Sequence, residues 1–204
     1  VPNFYMSLIF CKKCVLDGSS KELLLDENGV CNFCHQAQRA LKEIKMERLD
    51  LDKWITRIKE DGKGKEYDCL IGLSGGVDSS MALYQLVKLG LKPLAFGMDN
   101  GFNKSDENIM RLVEGLEVPF YRYVLDLVKF RELYSAFMKG GVMNLEAVYD
   151  HLLFATTYKM ASEYKIKWVV SGGNVETESV MPPLWGEDSR DLRWIKSVYK
   201  KVTG

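Results

Sequence analysis

The 204-residue chain has no excess of either charge, since lysine and arginine together number 28 and aspartate and glutamate also number 28. A balanced chain lacks the overall field that draws nucleic acid or an anionic membrane surface, although local patches remain open to it. No apolar run approaches the roughly 20 residues that a membrane-spanning helix needs. The apolar opening VPNFYMSLIF has neither a basic leading segment nor a small-residue cleavage site, so it does not read as a signal peptide. Met6 is a candidate native start, and a cytoplasmic location is expected. No internal repeat and no low-complexity tract is visible. Cysteine is almost missing after residue 34: Cys69 stands alone, while Cys11, Cys14, Cys31 and Cys34 crowd the start.

What is present is a chain 47% hydrophobic and 27% charged, enough for one main domain with room for a small module. Residues 1–35 read as a turn-rich module, with LDGSS and DENGV between the cysteine pairs. Residues 36–66 read as a linking helix, roughly Gln36 to Lys59, followed by the linker DGKGKE. Leu41, Ile44, Leu51, Ile55 and Ile58 form the candidate buried stripe of that helix. From residue 67 to 204, strands and helices alternate. YDCLIGL reads as a strand buried on both faces of a parallel sheet, and KPLAFGM, VPFYRYVL and IKWVVS read as its further strands. VDSSMALYQLVKLG, DENIMRLVEGLE, LVKFRELYSAFMKG and DHLLFATTYKMASEYK read as helices. The expected fold is α/β, a doubly wound parallel sheet with right-handed crossovers.

Ligands in such sheets bind where strands end at their carboxyl edges. Those ends read LSGGVDSS, GMDNG, VLD and VVSGGN, and all four carry glycine or a carboxylate, which suggests one shared pocket. In LSGGVDSS, Gly75 and Gly76 permit close backbone approach and positive φ. The helix starting near Val77 offers N–H groups and the positive end of its dipole to an anion, and Ser74, Ser79 and Ser80 can add hydroxyls. Asp78 is repulsive beside phosphate unless it binds Mg²⁺ or caps local backbone N–H groups. The alternative is an ordinary strand–turn–helix corner. No lysine follows the glycines, so the stretch fails the Walker pattern, and γ-phosphoryl transfer by a P-loop kinase or GTPase is disfavoured.

The cysteines follow C-x2-C-x16-C-x2-C, CKKC at Cys11–Cys14 and CNFC at Cys31–Cys34. Two such turns bring four thiolates around a tetrahedral Zn²⁺ and leave no open coordination position, so the site reads as structural. His35 is expected as a neighbour and not a ligand. Disulfides or free buried thiols are the alternative.

SGGVDSS resembles the pyrophosphate loop of the ATP-pyrophosphatase (PP-loop, adenine nucleotide alpha hydrolase-like) superfamily. Its members transfer AMP to a carbonyl-type oxygen, release pyrophosphate, and let a nucleophile displace AMP. The resemblance implies that Ser74, Gly75, Gly76, Val77, Asp78 and Ser79 cradle pyrophosphate with Mg²⁺, and that Gly97 to Asp99 border the adenosine. Thiolating members commonly use catalytic cysteines or an iron–sulfur cluster within this domain. Cys69 alone cannot hold a cluster, which argues against sulfur chemistry.

The fuller resemblance is to the N-acetyl sugar amidotransferases of surface-polysaccharide and nonulosonate biosynthesis (lipopolysaccharide biosynthesis among them). It rests on FCKKCVLDGSS, DENGVCNFC, the loop, MDNGFN, DHLLFATTYKMA, VVSGGNVETES and LWGEDSRDLRWIKSVYKK, in that order along nearly the whole chain. It implies an ATP-dependent carbon–nitrogen ligase that adenylates the acetamido oxygen of an N-acetyl sugar, nucleotide-linked by expectation. Ammonia from a class I glutaminase partner then forms an acetamidino group. Family members are longer than this chain, which stops inside a helical pattern at YKKVTG; a shortened member or one lacking a carboxyl-terminal part is expected. Ser74, Asp78 and His151 are the candidate catalytic residues. Asp99, Gly172, Gly173 and Asn174 join the loop as candidate nucleotide-binding residues. For Asp150 and His151, a helix cap followed by a first-turn histidine is an equal reading. Glu176 or Glu178 is a candidate Mg²⁺ ligand, and Trp185, Asp191 and Arg193 are candidates for the sugar side or for packing and surface pairing. KSVYKK reads as a solvated helix face. A tRNA-modifying thiolase and a non-catalytic ATP-binding subunit are the competing readings.

Overall fold

A computed structural model describes residues 9–47, 50–102, 106–174, 182 and 186–204. The chain divides into two compact units, Val1–Leu51 with Asn174–Glu187, and Asp52–Gly173 with Asp188–Gly204.

In the first unit, the isolated antiparallel bridges Phe10↔Asp17 and Leu25↔Cys31 hold the two cysteine-bearing turns. Leu16 and Phe33 are buried with Cys11, Cys31 and Cys34, and Leu23, Leu25 and Val30 pack against them. Asp26 shapes the second turn, its Oδ1 accepting the N–H groups of Asn28 at 2.9 Å and Val30 at 2.8 Å. Helix α1 (Asn32–Glu47) starts inside the second cysteine pair. Its first residue ties back to the preceding loop, Asn32 accepting from the Leu24 N–H at 2.9 Å and donating to the Glu22 carbonyl at 3.1 Å. The turn that places two thiols therefore also opens the helix.

The single linking helix expected over 36–59 is instead two, α1 and α2 (Leu51–Asp61). The five-residue stripe is therefore divided between two helices. Leu41 and Ile44 are half-buried and Leu51 is exposed. Ile58 is buried in the second unit's core, with Ile55 packed against it.

The second unit is built on a parallel sheet of four strands: β1 (Cys69–Gly72), β2 (Pro93–Asp99), β3 (Phe120–Val124) and β4 (Trp168–Val170), in the order β3-β2-β1-β4. The register pairs Cys69 with Pro93 and with Trp168, and Ala95 with Phe120. The intervening helices are α3 (Val77–Lys88), α4 (Asp106–Gly115), α5 (Leu127–Lys139), α6 (Ala147–Glu163) and α7 (Leu192–Thr203). Strand side chains alternate between two cores. Leu70, Leu94, Phe96 and Met98 meet Phe130 and Phe137 of α5, Val148 and Met160 of α6, and Ile195 of α7. Cys69, Ile71, Leu73 and Ala95 meet Ile58 of α2, Leu83 and Leu86 of α3, and Ile109 and Val113 of α4. Helices thus cover both faces, the doubly wound arrangement expected from the alternation of strands and helices.

Two features of this topology place a site. The chain runs outward through β1, β2 and β3, then returns to lay β4 on the other side of β1, so the strand order reverses between β1 and β4. That reversal opens a crevice at the carboxyl ends of these two strands. Helix α6 runs antiparallel to β1. Its C-cap Tyr164 packs edge-on against Tyr67, before the amino end of β1, with ring centroids 5.8 Å apart. Leu153 lies near Gly72 at the carboxyl end of β1. The first turns of α6, His151 included, therefore sit on the carboxyl-edge side of the sheet.

Candidate functional site

Beyond β1 the chain turns through Ser74, Gly75 and Gly76 into α3. Gly75 takes φ 78°, a left-handed conformation that side chains resist, and Gly76 is the N-cap in extended backbone. Having no side chain, Gly76 brings no capping oxygen, and a helix begun this way presents its N-terminus to an anion. The serine hydroxyls have local work. Ser74 Oγ accepts from the Gly76 N–H at 3.3 Å, and Ser79 Oγ donates to the Gly76 carbonyl at 3.3 Å. The two hydroxyls lie 3.2 Å apart, and the Ser74 N–H donates to Ser79 Oγ at 3.3 Å. Ser79 is buried, so its hydroxyl closes the loop on itself. Asp78 stands in the first turn of α3.

The second glycine loop, after β4, lies directly against this one. A Cβ on Gly172 would come within 2.8 Å of both the N and the Cα of Ser79. Only a glycine lets the two chains approach so closely. Two segments far apart in sequence, SGGVDS and the SGG of 171–173, thus meet across the β1–β4 crevice. Asn174 falls in the first unit, and Glu176, Glu178 and Trp185 lie outside the described residues.

The end of β2, expected to border the adenosine at Gly97 to Asp99, is shaped by local contacts. Asp99 accepts the Gly101 N–H at 2.9 Å through Oδ1, shaping the turn at Gly101, φ 76°. A Cβ on Gly97 would meet the Phe120 ring at 3.0 Å and the Leu73 carbonyl at 3.4 Å, so that glycine is required by packing within the sheet. The end of β3 lines a cavity of about 340 Å³ with Asp126, Lys129, Thr156 and Lys159, and no residue of the loops after β1 or β4 lines it.

His151 lies one turn into α6. Helix α6 begins three residues earlier than the sequence suggests, because Ala147 and Val148 are themselves core residues. Asp150 is consequently a first-turn residue and not the cap, and burial beside Glu146 pushes its carboxyl up. His151 Nδ1 lies 2.9 Å from the Ser189 carbonyl. A carbonyl only accepts, so Nδ1 carries the hydrogen and Nε2 of the neutral ring is the acceptor. Ser189 had no mark in the sequence that singled it out. Asp191 and Arg193 are both engaged locally. Asp191 caps α7, accepting the N–H groups of Arg193 at 2.9 Å and Trp194 at 3.4 Å, and it also takes the Arg193 guanidinium at 3.3 Å.

The four cysteines of the first unit form a second constellation. Their sulfurs all lie within 4.8 Å of one another, with Cys11–Cys34 at 3.9 Å and Cys14–Cys31 at 3.7 Å. Tetrahedral Zn–S bonds of about 2.3 Å put sulfurs about 3.8 Å apart, which the Cys11–Cys34 and Cys14–Cys31 separations match. Backbone N–H groups of Lys13 and Cys31 point at Cys11 Sγ, each at 3.3 Å, and that of Cys34 points at Cys31 Sγ at 3.4 Å. Burial raises Cys11, but these N–H groups outweigh it and take the thiol down to about 6. Burial pushes Cys14 and Cys34 up. The four sulfurs are close enough together to hold one metal ion, whose charge would stabilise them as thiolates. His35 is turned away to Asp26, with Nε2 and Oδ2 2.8 Å apart. It braces the turn and adds nothing to the sulfur set.

Cys69 lies wholly buried in the middle strand β1, and burial pushes its thiol up to about 12. In the folded chain it is expected to resist a thiol reagent such as dithionitrobenzoate at pH 8, and to react only as the sheet unfolds in denaturant.

No protein-family model matches the sequence. No curated protein matches it. Among solved structures, 62 chains match. One is the NH3-dependent NAD synthetase from Campylobacter jejuni in complex with nitrate, 21% identical over 60% of this chain and 55% of that one, with a TM-score of 0.45. Another is the NMN synthetase from Francisella tularensis, 22% identical over 56% of this chain and 51% of that one, with a TM-score of 0.40. The matches span about half the length of these two structures. Among the described residues, no helix is long and apolar enough to cross a membrane.

Proposed function

We propose that the crevice between β1 and β4 binds ATP as a PP-loop site, and that the chain is the ATP-dependent ligase component of an N-acetyl sugar amidotransferase. The observation that supports this most is the approach of Gly172 to Ser79, which joins two glycine loops at the place where the strand order reverses. The order of motifs along the chain supports the choice of acceptor.

On this reading the α3 N-terminus and the backbone of Gly75 to Ser79 hold the β- and γ-phosphates, which leave as pyrophosphate. Mg²⁺, when bound, neutralises the charge that develops between the phosphates. Asp78 is its proposed ligand, with Asp99 at the neighbouring strand end. The acetamido oxygen attacks the α-phosphorus, and the bond to the pyrophosphate oxygen breaks. Ammonia then adds to the activated carbon, the C–O bond to AMP breaks, and an acetamidinium remains. His151 holds Nε2 as an acceptor on the same edge and is the proposed group to take the proton that ammonia sheds on attack. The four-cysteine cluster holds structural Zn²⁺, ammonia comes from a glutaminase partner, and the protein works in the cytoplasm.

The test is mass spectrometry of nucleotide-linked N-acetyl sugars after incubation with the chain, ATP, Mg²⁺ and ammonium. The product should be about one dalton lighter, oxygen having been replaced by NH, with one pyrophosphate per turnover. In Asp78→Ala, pyrophosphate release should fall by about 10²-fold or more, the scale of a lost electrostatic partner of a transition state, with the circular dichroism spectrum unchanged. Nucleotide binding without pyrophosphate release under all these conditions would make the chain a non-catalytic subunit. A sulfur-bearing product on tRNA would make it a thiolase.

A further inference from the structure

Helices α5 and α7 pack together on one face of the sheet, Phe137 meeting Trp194 edge-on at 5.4 Å. On their outer side they leave a groove of about 600 Å³. Leu133, Leu192 and Ile195 line it as apolar groups, and Lys129, Lys196 and Lys200 also line it. Leu192 is 44% exposed, a large aliphatic side chain at the start of a helix.

Among the residues lining the groove, Lys129, Lys196 and Lys200 stand against the single acid Glu132. Helix α7 carries Arg193, Lys196, Lys200 and Lys201 and no carboxylate, in a chain whose formal net charge is zero. Lys129 is balanced by Asp126 at 3.2 Å. Glu132, the acid lining the groove, takes the hydroxyl of Tyr199. Among the described residues, Lys196 and Lys200 form no ion pair. They stand four residues apart, one turn along α7, and so mark a rim with the axial repeat of a helix.

We propose that the α5–α7 groove docks an acidic amphipathic helix of a partner protein. A groove between two helices with apolar residues along it receives a third helix, whose apolar residues at i, i+3 or i+4 and i+7 fill it. Carboxylates one turn apart on its flank then meet Lys196 and Lys200. A nucleic acid would use the lysines but leave Leu133, Leu192 and Ile195 uncovered, since its binding rests on phosphate contacts and not on apolar burial. This inference is independent of the proposed chemistry at the β1–β4 crevice and does not require that chemistry to be right.

The experiment uses the full chain and a fluorescein-labelled designed helical peptide, with leucine at the groove-facing positions and glutamate on one flank. Fluorescence anisotropy should show saturable binding. Leu192→Glu should abolish it. The double variant Lys196→Glu, Lys200→Glu should weaken it at least tenfold, and a peptide with lysine in place of glutamate should restore binding to that double variant. Each variant's thermal melt and ATP binding report whether the fold survives. If either variant loses the fold, the charge-swapped peptide on wild type, which should bind at least tenfold more weakly, carries the test. Absence of saturable binding by the acidic peptide overturns the proposal. So does indifference to both charge swaps. So does binding of a single-stranded oligonucleotide or anionic phospholipid vesicles that is lost in the double variant while the peptide fails to bind.

Discussion

Gly172→Ala should remove nucleotide binding almost completely, although the residue replaced carries no functional group. The new Cβ would lie 2.8 Å from two backbone atoms of Ser79 and 3.2 Å from the carbonyl carbon of Asp78. Backbone cannot rotate aside as a side chain can. Either α3 must withdraw its first turn or the loop after β4 must lift away. Ser79 is the residue whose hydroxyl holds Gly76, so a displacement there also loosens Gly75 to Val77. Overpacking of this kind costs about 1–3 kcal/mol, a tolerable loss for a two-core domain. A misplacement of about 1 Å at a positioned site can cost about 10²-fold. The expected result is a chain that melts cooperatively a few degrees lower and binds ATP at least 10²-fold more weakly by calorimetry. Gly173→Ala, one residue on, is the comparison variant. Wild-type ATP affinity in Gly172→Ala would show that the meeting of the two loops is not the binding site.

The second large effect should come from removing the metal. Purified chain is expected to hold about one zinc, as four-cysteine structural sites do. Cys31→Ser should lower that to near zero. Cys31 is fully buried, and its sulfur accepts the Cys34 N–H while its own N–H points at Cys11, so one substitution disturbs both turns. Structural zinc contributes about 10–16 kcal/mol of apparent binding energy in small modules, far more than a handful of buried side chains can replace. Residues 9–35 should therefore lose hydrogen-exchange protection in the variant and in chelator-treated wild type. The sheet unit, with two cores of its own, should keep its unfolding transition. Protection of residues 9–35 that survives complete loss of metal would refute the assignment.

Acidification bears on the same turn by a separate route. The Val30 N–H and the His35 ring hold the Asp26 carboxyl below its ordinary value. A carboxyl depressed by folding contributes above its unfolded pKa, and the contribution is lost as pH falls through the folded pKa. Asp26→Asn should thus loosen the second cysteine turn at neutral pH and flatten its response to acid, measurable as zinc release against pH.

The alternation of apolar strands and amphipathic helices made the doubly wound sheet legible from residues alone, because a strand buried on both faces leaves an unbroken apolar run. Cys11, Cys14, Cys31 and Cys34 were legible for a different reason: two C-x2-C turns at that spacing can bring four sulfurs together, as they do here. The break between α1 and α2 was not legible, since charged helix-forming residues run across it without a glycine or proline. The local duties of Asp191 and Arg193 were equally hidden, because a cap and its arginine look the same in sequence as a binding pair. Gly172 was picked out as a glycine at a strand end. That it serves to admit Ser79 depends on two strands meeting side by side, which no local pattern encodes.

The same contact sets an order of events. Loop closure between distant segments is entropically slow, and a growing chain adds its strands from the amino end. β4 is the last of the four sheet strands in sequence, so α3 can form and the first three strands can pair while the crevice still lacks one wall. On the proposed reading, competence to hold a nucleotide therefore waits until β4 is in place. A ligand that binds there stabilises only molecules that have finished folding.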